Sequence, residues 1–130
     1  MKNRILFAFL LLVFFAAACE TEKIQPAAEP IGPDTIVKFS TQIVPIFNAS
    51  CNNASCHSAG RTKPDLSGTQ ASYTDLVNIQ NGWIDTTNTS NSLLYTRMTS
   101  TSDPMPESGN LPETTTNIVK RWIQQGAKNN

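Results

Sequence analysis

The sequence predicts a small, mostly α-helical domain with long loops. Apolar residues recur at three- and four-residue spacing in several short stretches, which is the period of a helix with one buried face. Strict alternation of apolar and polar residues, which is typical of strands, is nearly absent. Eight prolines and six glycines interrupt the chain, so the helices are expected to be short and the loops long.

The first predicted helix is built around apolar residues at helical spacing, namely Phe39, Ile43, Ile46 and Phe47. Pro45 is expected to lie near the start of this helix or to bend it, because proline lacks the backbone N–H that a helix interior needs. The middle of the chain predicts two further short helices, over residues 73–79 and 92–98. Between them we expect a turn at residues 81 and 82, a buried apolar pair at residues 83 and 84, and a polar loop over residues 86–91.

The last helix has the clearest boundaries. Pro112 suits a first helical position, Glu113 favours the positive end of the helix dipole, and Gly126 is a natural stop. The helix carries one apolar stripe, predicted to be core: Ile118, Val119, Trp122 and Ile123.

Residues 1–18 have the three parts of a secretory signal peptide. Lys2 and Arg4 supply positive charge, residues 5–15 form an apolar run, and residues 16–18 are alanines that precede Cys19. The run is shorter than the roughly 20 residues that span a bilayer. Small residues ending at a cysteine resemble the bacterial lipobox, in which that cysteine is acylated and becomes the new N-terminus.

This resemblance implies an exported bacterial lipoprotein that is anchored to a membrane through Cys19 and faces the periplasm or the cell surface. The alternative is ordinary secretion, with Cys19 merely near the cleavage site. Acylation is favoured because an unpaired cysteine is a liability in an oxidising compartment. Residues 19–34, rich in Pro, Ala and Glu, then form a flexible tether, and residues 35–130 form the domain. Ten acidic residues balance ten basic ones, two of them in the signal peptide, which excludes a nucleic-acid partner.

The segment from Cys51 to His57 holds almost all of the chain's metal-binding nitrogen and sulfur. His57 is the only histidine, and it directly follows Cys56. A Cys-x-x-Cys-His run is the attachment site of a c-type haem: the thiols form thioethers with the haem vinyl groups, and the imidazole binds the iron. Here four residues separate the cysteines instead of two, so the pattern is a variant.

A sixth iron ligand has to come from another residue type, because no second histidine exists. Lysine aside, methionine is the natural donor, and a Met/His pair is typical of electron-transfer cytochromes. Met98 falls within a predicted helix and suits a packing role. Met105 lies between Pro104 and Pro106, which keep it out of a helix and on a stiff loop.

Residues 39–128 resemble the small cytochrome c domains of Planctomycetes and Bacteroidetes. Six blocks occur in the order of that family, which is more specific than any one of them: an apolar helix (residues 43–47), the haem motif, Asp65-Leu66-Ser67, Ser92-Leu93-Leu94-Tyr95, Met105-Pro106 and a closing Trp122-Ile-x-x-Gly-Ala127. The sequence departs from the pattern of that family in two places. The haem loop is two residues longer than usual, and Thr86-Thr87-Asn88-Thr89 replaces a Pro-Gly-Asp-Pro stretch.

The resemblance implies a mostly helical domain wrapped around one covalent haem c. Cys51 and Cys56 would form the thioethers, His57 would be the proximal iron ligand and Met105 the distal one. Two strong-field ligands would leave no open iron site, so the family implies a carrier of single electrons between redox partner proteins and not an enzyme. The side chains expected to bury the haem are Phe39, Phe47, Leu111, Trp122 and Ile123.

Three alternatives stay open at this point. A haem with an open iron site would bind gas or peroxide. A disulfide between Cys51 and Cys56 would make a stapled interaction module without a cofactor, although such a module needs neither His57 nor the Met-Pro loop. A structural metal site is the least favoured, because four local ligands are not available.

Overall fold

The computed structural model describes residue 32 and residues 34–78 and 82–130. The predicted signal peptide, Cys19 and nearly all of the predicted tether lie outside these residues. In the described part, four α-helices are joined by loops and no strand is present. The prediction of a mostly α-helical domain is therefore confirmed.

A π-helical turn, Phe39–Ile43, runs directly into helix α1, Val44–Ser50. Pro45 stands in the first turn of α1, where its missing N–H leaves no hydrogen bond unmade. The predicted apolar face is confirmed, since Phe39, Ile43 and Phe47 are fully buried.

Helix α2, Thr69–Val77, differs from the predicted helix over residues 73–79 at both ends. It begins earlier because Gly68 adopts an extended conformation and its carbonyl accepts the first helical hydrogen bond, from the Ser72 N–H. The apolar pattern did not reveal this start, because the first turn is polar. It ends at Val77 because Asn78 is extended. Leu76 is the side chain that α2 buries most deeply in the core.

Helix α3, Leu93–Thr99, lies within one residue of its predicted position. The polar loop predicted before it was wrong in part, because Thr89–Asn91 form one 3₁₀ turn. The side chain of Asn88 caps this turn, and the Asp85 carboxylate accepts hydrogen bonds from the backbone at residues 87 and 88. Trp83 and Ile84 were predicted to be buried. Both are only partly buried and pack against the core.

Helix α4, Glu113–Gln124, begins one residue later than predicted, and Pro112 is the residue that precedes it. The Pro112 carbonyl accepts hydrogen bonds from the N–H groups of Thr115 and Thr116. Gly126 has a φ of 93°, a conformation that glycine adopts without strain, and the helix stops before it as predicted. The predicted stripe is confirmed, because all four of its residues are buried.

The core lies between the π-helical turn, α1 and α4. Trp122 is fully buried, and its indole N–H donates a hydrogen bond to the Lys128 carbonyl. The sequence analysis did not identify Val37 and Ala127 as core residues, although both are buried.

Polar side chains at the end of the described chain bind the segment that precedes the π-helical turn. The Gln125 side-chain oxygen accepts the Val37 N–H, and the Asn130 side-chain oxygen accepts the Phe39 N–H, both over 2.8 Å. The Ser40 N–H donates to the Asn130 carbonyl. These bonds satisfy the backbone N–H groups of Val37, Phe39 and Ser40. Within the described ranges, no helix is both long and apolar enough to span a membrane.

Candidate functional site

The segment from Cys51 to His57 is a closed loop that starts at the end of α1. Cys51 caps α1, and its N–H donates to the Phe47 carbonyl over 2.8 Å. The loop closes because the His57 N–H donates to the Cys51 carbonyl over 3.2 Å. This bond brings the backbone of the first cysteine and of the histidine together.

The wider spacing between the two cysteines is accommodated in an exposed turn. Asn53, Ala54 and Ser55 are all exposed, and the Asn53 side chain accepts hydrogen bonds from both the N–H and the hydroxyl of Ser55. Cys56 is tied to this turn through its N–H, which donates to the Asn53 carbonyl. The additional residues therefore lie on the outer side of the loop, while the cysteines stay partly buried.

Cys51 and Cys56 are both free thiols and are both about half-buried. Burial, with a smaller contribution from the nearby Cys56, raises the pKa of Cys51 to about 11. Cys51 is therefore a neutral thiol at physiological pH. This disfavours Cys51 as the attacking group in disulfide exchange.

The imidazole of His57 has a fixed orientation. Its Nδ1 lies 3.0 Å from the carbonyl oxygen of Pro64, and that carbonyl can only accept a hydrogen bond. Nδ1 therefore carries the proton, and in the neutral ring Nε2 keeps its lone pair. A neutral imidazole in this tautomer can bind a metal ion through Nε2 while a partner on Nδ1 holds the ring in place.

Residues 63–66 alternate between two hydrogen-bonding partners. Pro64 and Leu66 bind His57, because the Leu66 N–H donates to the His57 carbonyl over 2.7 Å. Lys63 and Asp65 bind Asp75 of α2 instead, the ammonium over 2.7 Å and the Asp65 N–H over 2.6 Å. The hydrogen bond from Lys63, followed by the one from the Asp65 N–H, holds the pKa of Asp75 below its usual value.

Asp75 is a residue that the sequence analysis missed. The turn at residues 65–67 was recognised, but nothing in the local pattern links it to a carboxylate on the next helix. The Asp75 side chain is only 19% exposed, which is accounted for by its bonds to Lys63 and to the Asp65 N–H.

The two methionines occupy different environments. Met98 is 2% exposed and belongs to the core cluster, as predicted for a packing residue. Met105 is half-buried on the loop after α3, and its N–H donates to the Arg97 carbonyl over 2.9 Å. An ion pair between Arg97 and Asp103 also ties this loop to α3. The structure thus places Met105 on a separate segment from His57.

In the described part of the chain, no group of three or more His, Cys, Asp or Glu residues is arranged to hold a metal ion. The donors gathered at the site are one imidazole and two thiols on a single loop. Comparisons with protein-family models, with curated proteins and with solved structures found no match to this chain. The resemblance to small cytochrome c domains therefore rests on the residues quoted for it.

Proposed function

We propose that this domain is a c-type cytochrome that carries single electrons through one covalently bound haem. The observation that carries the proposal is the hydrogen bond between His57 Nδ1 and the Pro64 carbonyl. It fixes the tautomer in which Nε2 is free to bind iron, on the only histidine of the chain and directly beside two free thiols.

The residues present fit a covalent haem. Cys51 and Cys56 would hold it, each by adding its S–H across a vinyl double bond, with sulfur and hydrogen going to the two carbons. This addition needs no oxidant or reductant, and a neutral thiol such as Cys51 supplies both atoms. His57 would bind the iron through Nε2. When bound, the haem supplies the ferric–ferrous couple that exchanges one electron.

Met105 is the proposed distal ligand. Its loop is held to α3 at Arg97, which restricts where its thioether can reach. Met98 is a poor candidate, because withdrawing it from the core would open a cavity. With His57 and Met105 both bound, no open iron position is left for a substrate, which favours electron transfer over catalysis.

The proposed site of action is the outer side of a bacterial membrane. The sequence pattern before Cys19 supports export and acylation, and the tether would let the domain reach soluble or membrane-bound redox partners. The near-neutral charge of the chain supports protein partners over nucleic acid.

The test is expression of the full chain in a host with a c-type maturation system. Haem staining should survive denaturing electrophoresis, and the intact mass should include one haem. Cys51→Ala with Cys56→Ala should abolish both signals, whereas Cys19→Ser, which changes the third cysteine, should leave them intact. An unmodified mass with Cys51 and Cys56 disulfide-linked would overturn the proposal. Immediate carbon monoxide binding to the ferrous protein would instead indicate an open iron site.

A further inference from the structure

A single peptide group connects the Asp75 carboxylate to the His57 imidazole. The Pro64 carbonyl and the Asp65 N–H belong to the same peptide bond. The carbonyl faces His57 Nδ1 at 3.0 Å, and the N–H faces Asp75 Oδ2 at 2.6 Å. In a trans peptide these two groups point in opposite directions, so the imidazole and the carboxylate lie on opposite sides of one planar unit.

We infer that Asp75 is a positioning residue for His57, which acts through this peptide group and sets the electron-donating strength of His57 toward haem iron. The inference rests on the proposed function only where it concerns iron. Metal-bound histidines commonly donate their second N–H to a carboxylate or to a carbonyl. Here the two partners act in series, with the carbonyl next to the ring and the carboxylate behind it.

The first physical reason is polarisation. A carboxylate that accepts the Asp65 N–H draws positive charge toward that end of the peptide and leaves more negative charge on the Pro64 oxygen. Chains of hydrogen bonds strengthen one another in this way at low dielectric, and Pro64 is buried. A stronger acceptor at Nδ1 makes Nε2 a better donor, and a better donor stabilises ferric over ferrous iron.

The second reason is mechanical. Proline has no N–H of its own, so the backbone of Pro64 is held through its neighbours. Asp75 holds both of them, the Lys63 ammonium at 2.7 Å and the Asp65 N–H at 2.6 Å. Lys63 is 68% exposed and Asp75 only 19%, so the carboxylate is the fixed member of the pair.

The test separates this relay from simple charge in the haem-loaded protein. Asp75→Asn removes the charge of the side chain and keeps its shape. It should shift the ferric–ferrous equilibrium about tenfold toward ferrous iron, which raises the reduction potential by about 59 mV for one electron. The matched control Lys63→Met removes a charge but leaves the Asp65 bond. If Asp75 acted only through its charge, the double variant Asp75→Asn with Lys63→Met would have the wild-type reduction potential. The relay predicts instead that the reduction potential of this double variant stays above the wild-type value.

The second readout needs no haem. His57 is the only histidine, so the ¹⁵N spectrum of the haem-free full chain under reducing conditions reports its tautomer directly. Wild type and Lys63→Met should show the proton on Nδ1, and Asp75→Asn should shift population to Nε2 and speed exchange of the Leu66 amide. Should Asp75→Asn fail to fold, Asp75→Glu, whose carboxylate is displaced by one methylene, should give a smaller shift in the same direction.

An unchanged tautomer and unchanged Leu66 exchange in a folded Asp75 variant would overturn the relay, as would a double variant with the wild-type potential. If the wild-type chain takes up no haem, while the Asp75 variants show the expected tautomer shifts, the proposed function is overturned. The positioning role of Asp75 then still stands.

Discussion

The ring of Phe39 stacks on the indole of Trp122, with centroids 5.0 Å apart and ring planes 29° from parallel. Both side chains are fully buried. The edge of the same Phe39 ring meets Tyr73 of α2 at 5.4 Å. Phe39 therefore joins the π-helical turn to two helices that come later in the chain, and it lies at the centre of the core.

Replacing Phe39 with Leu should lower the free energy of unfolding by about 1 to 3 kcal/mol. The change removes the aromatic contacts and leaves part of the ring volume unfilled. Ile36→Ala is the matched control, because Ile36 is 66% exposed and should change stability by less than about 0.5 kcal/mol. Urea unfolding followed by far-ultraviolet circular dichroism measures both. Equal effects of the two changes would contradict the central place given to Phe39.

The methionine variants should separate packing from ligation. Met98→Ala should cost about 2 to 5 kcal/mol of stability, because Met98 is buried in the core. Met105→Ala should cost little stability, but in the haem-loaded protein it should lower the reduction potential and remove the weak red charge-transfer band of thioether-bound ferric haem. If Met98→Ala removes the band and Met105→Ala preserves it, the ligand assignment is wrong.

Asp75 should contribute to the acid dependence of stability. Its pKa is lowered in the folded state, so its contribution is fully present above the unfolded value of about 4 and is lost as the pH falls through the folded value. The stability difference between wild type and Asp75→Asn should therefore shrink between about pH 5 and pH 2. Urea midpoints across this range measure it, with the exposed Glu107→Gln as a control for the lost charge. A stability difference between wild type and Asp75→Asn that stays constant over this pH range would contradict the lowered pKa of Asp75.

Cys19→Ser should release the protein from the membrane. If Cys19 is acylated, wild type should partition into detergent and incorporate a fatty-acid probe, whereas the variant should do neither. Sequencing of the mature N-terminus provides an independent check. A mature chain that begins at any residue other than Cys19 is incompatible with the lipoprotein assignment.

Ser72→Ala should stabilise the haem-free protein by about 1 kcal/mol. The Ser72 hydroxyl is fully buried in α2 and has no hydrogen-bond partner in the described part of the structure. A buried hydroxyl without a partner is destabilising, and alanine removes it while favouring the helix. Thermal unfolding of the two proteins makes the comparison. A loss of stability in the variant would mean that the hydroxyl has a bonding partner in solution.

The helices could be predicted because their information is local. The stripe on α4 and the face shared by Phe39 and Phe47 recur at the helical period, so the sequence alone located both helices to within a few residues. The start of α2 was missed because its first turn carries no large apolar residue, and the 3₁₀ turn was missed because its stability comes from the Asp85 and Asn88 side chains.

The candidate site could be predicted only in part for a related reason. The loop from Cys51 to His57 is contiguous, so its spacing could be compared with the haem attachment motif, and that interpretation stays a prediction. The partners of His57 and of Pro64 lie on other segments, and a carbonyl or a single carboxylate leaves no periodic trace in a sequence. The hydrogen bonds of Gln125 to Thr35 and Val37 were missed likewise, because they join a polar side chain to backbone groups some 90 positions away.

The hydrogen bonds of Asn130 can form only after the whole of residues 37–130 has been synthesised. Its side chain and carbonyl complete the backbone pairing at Val37, Phe39 and Ser40. A chain made from its N-terminus presents residues 37–40 long before residue 130 exists. Helix α1 can form locally in that interval, while Trp122 has yet to cover Phe39. The side chains of residues 51–57, half-buried or exposed in the finished domain, are therefore most accessible to any modifying enzyme before folding is complete, and a truncation before residue 130 would extend that period.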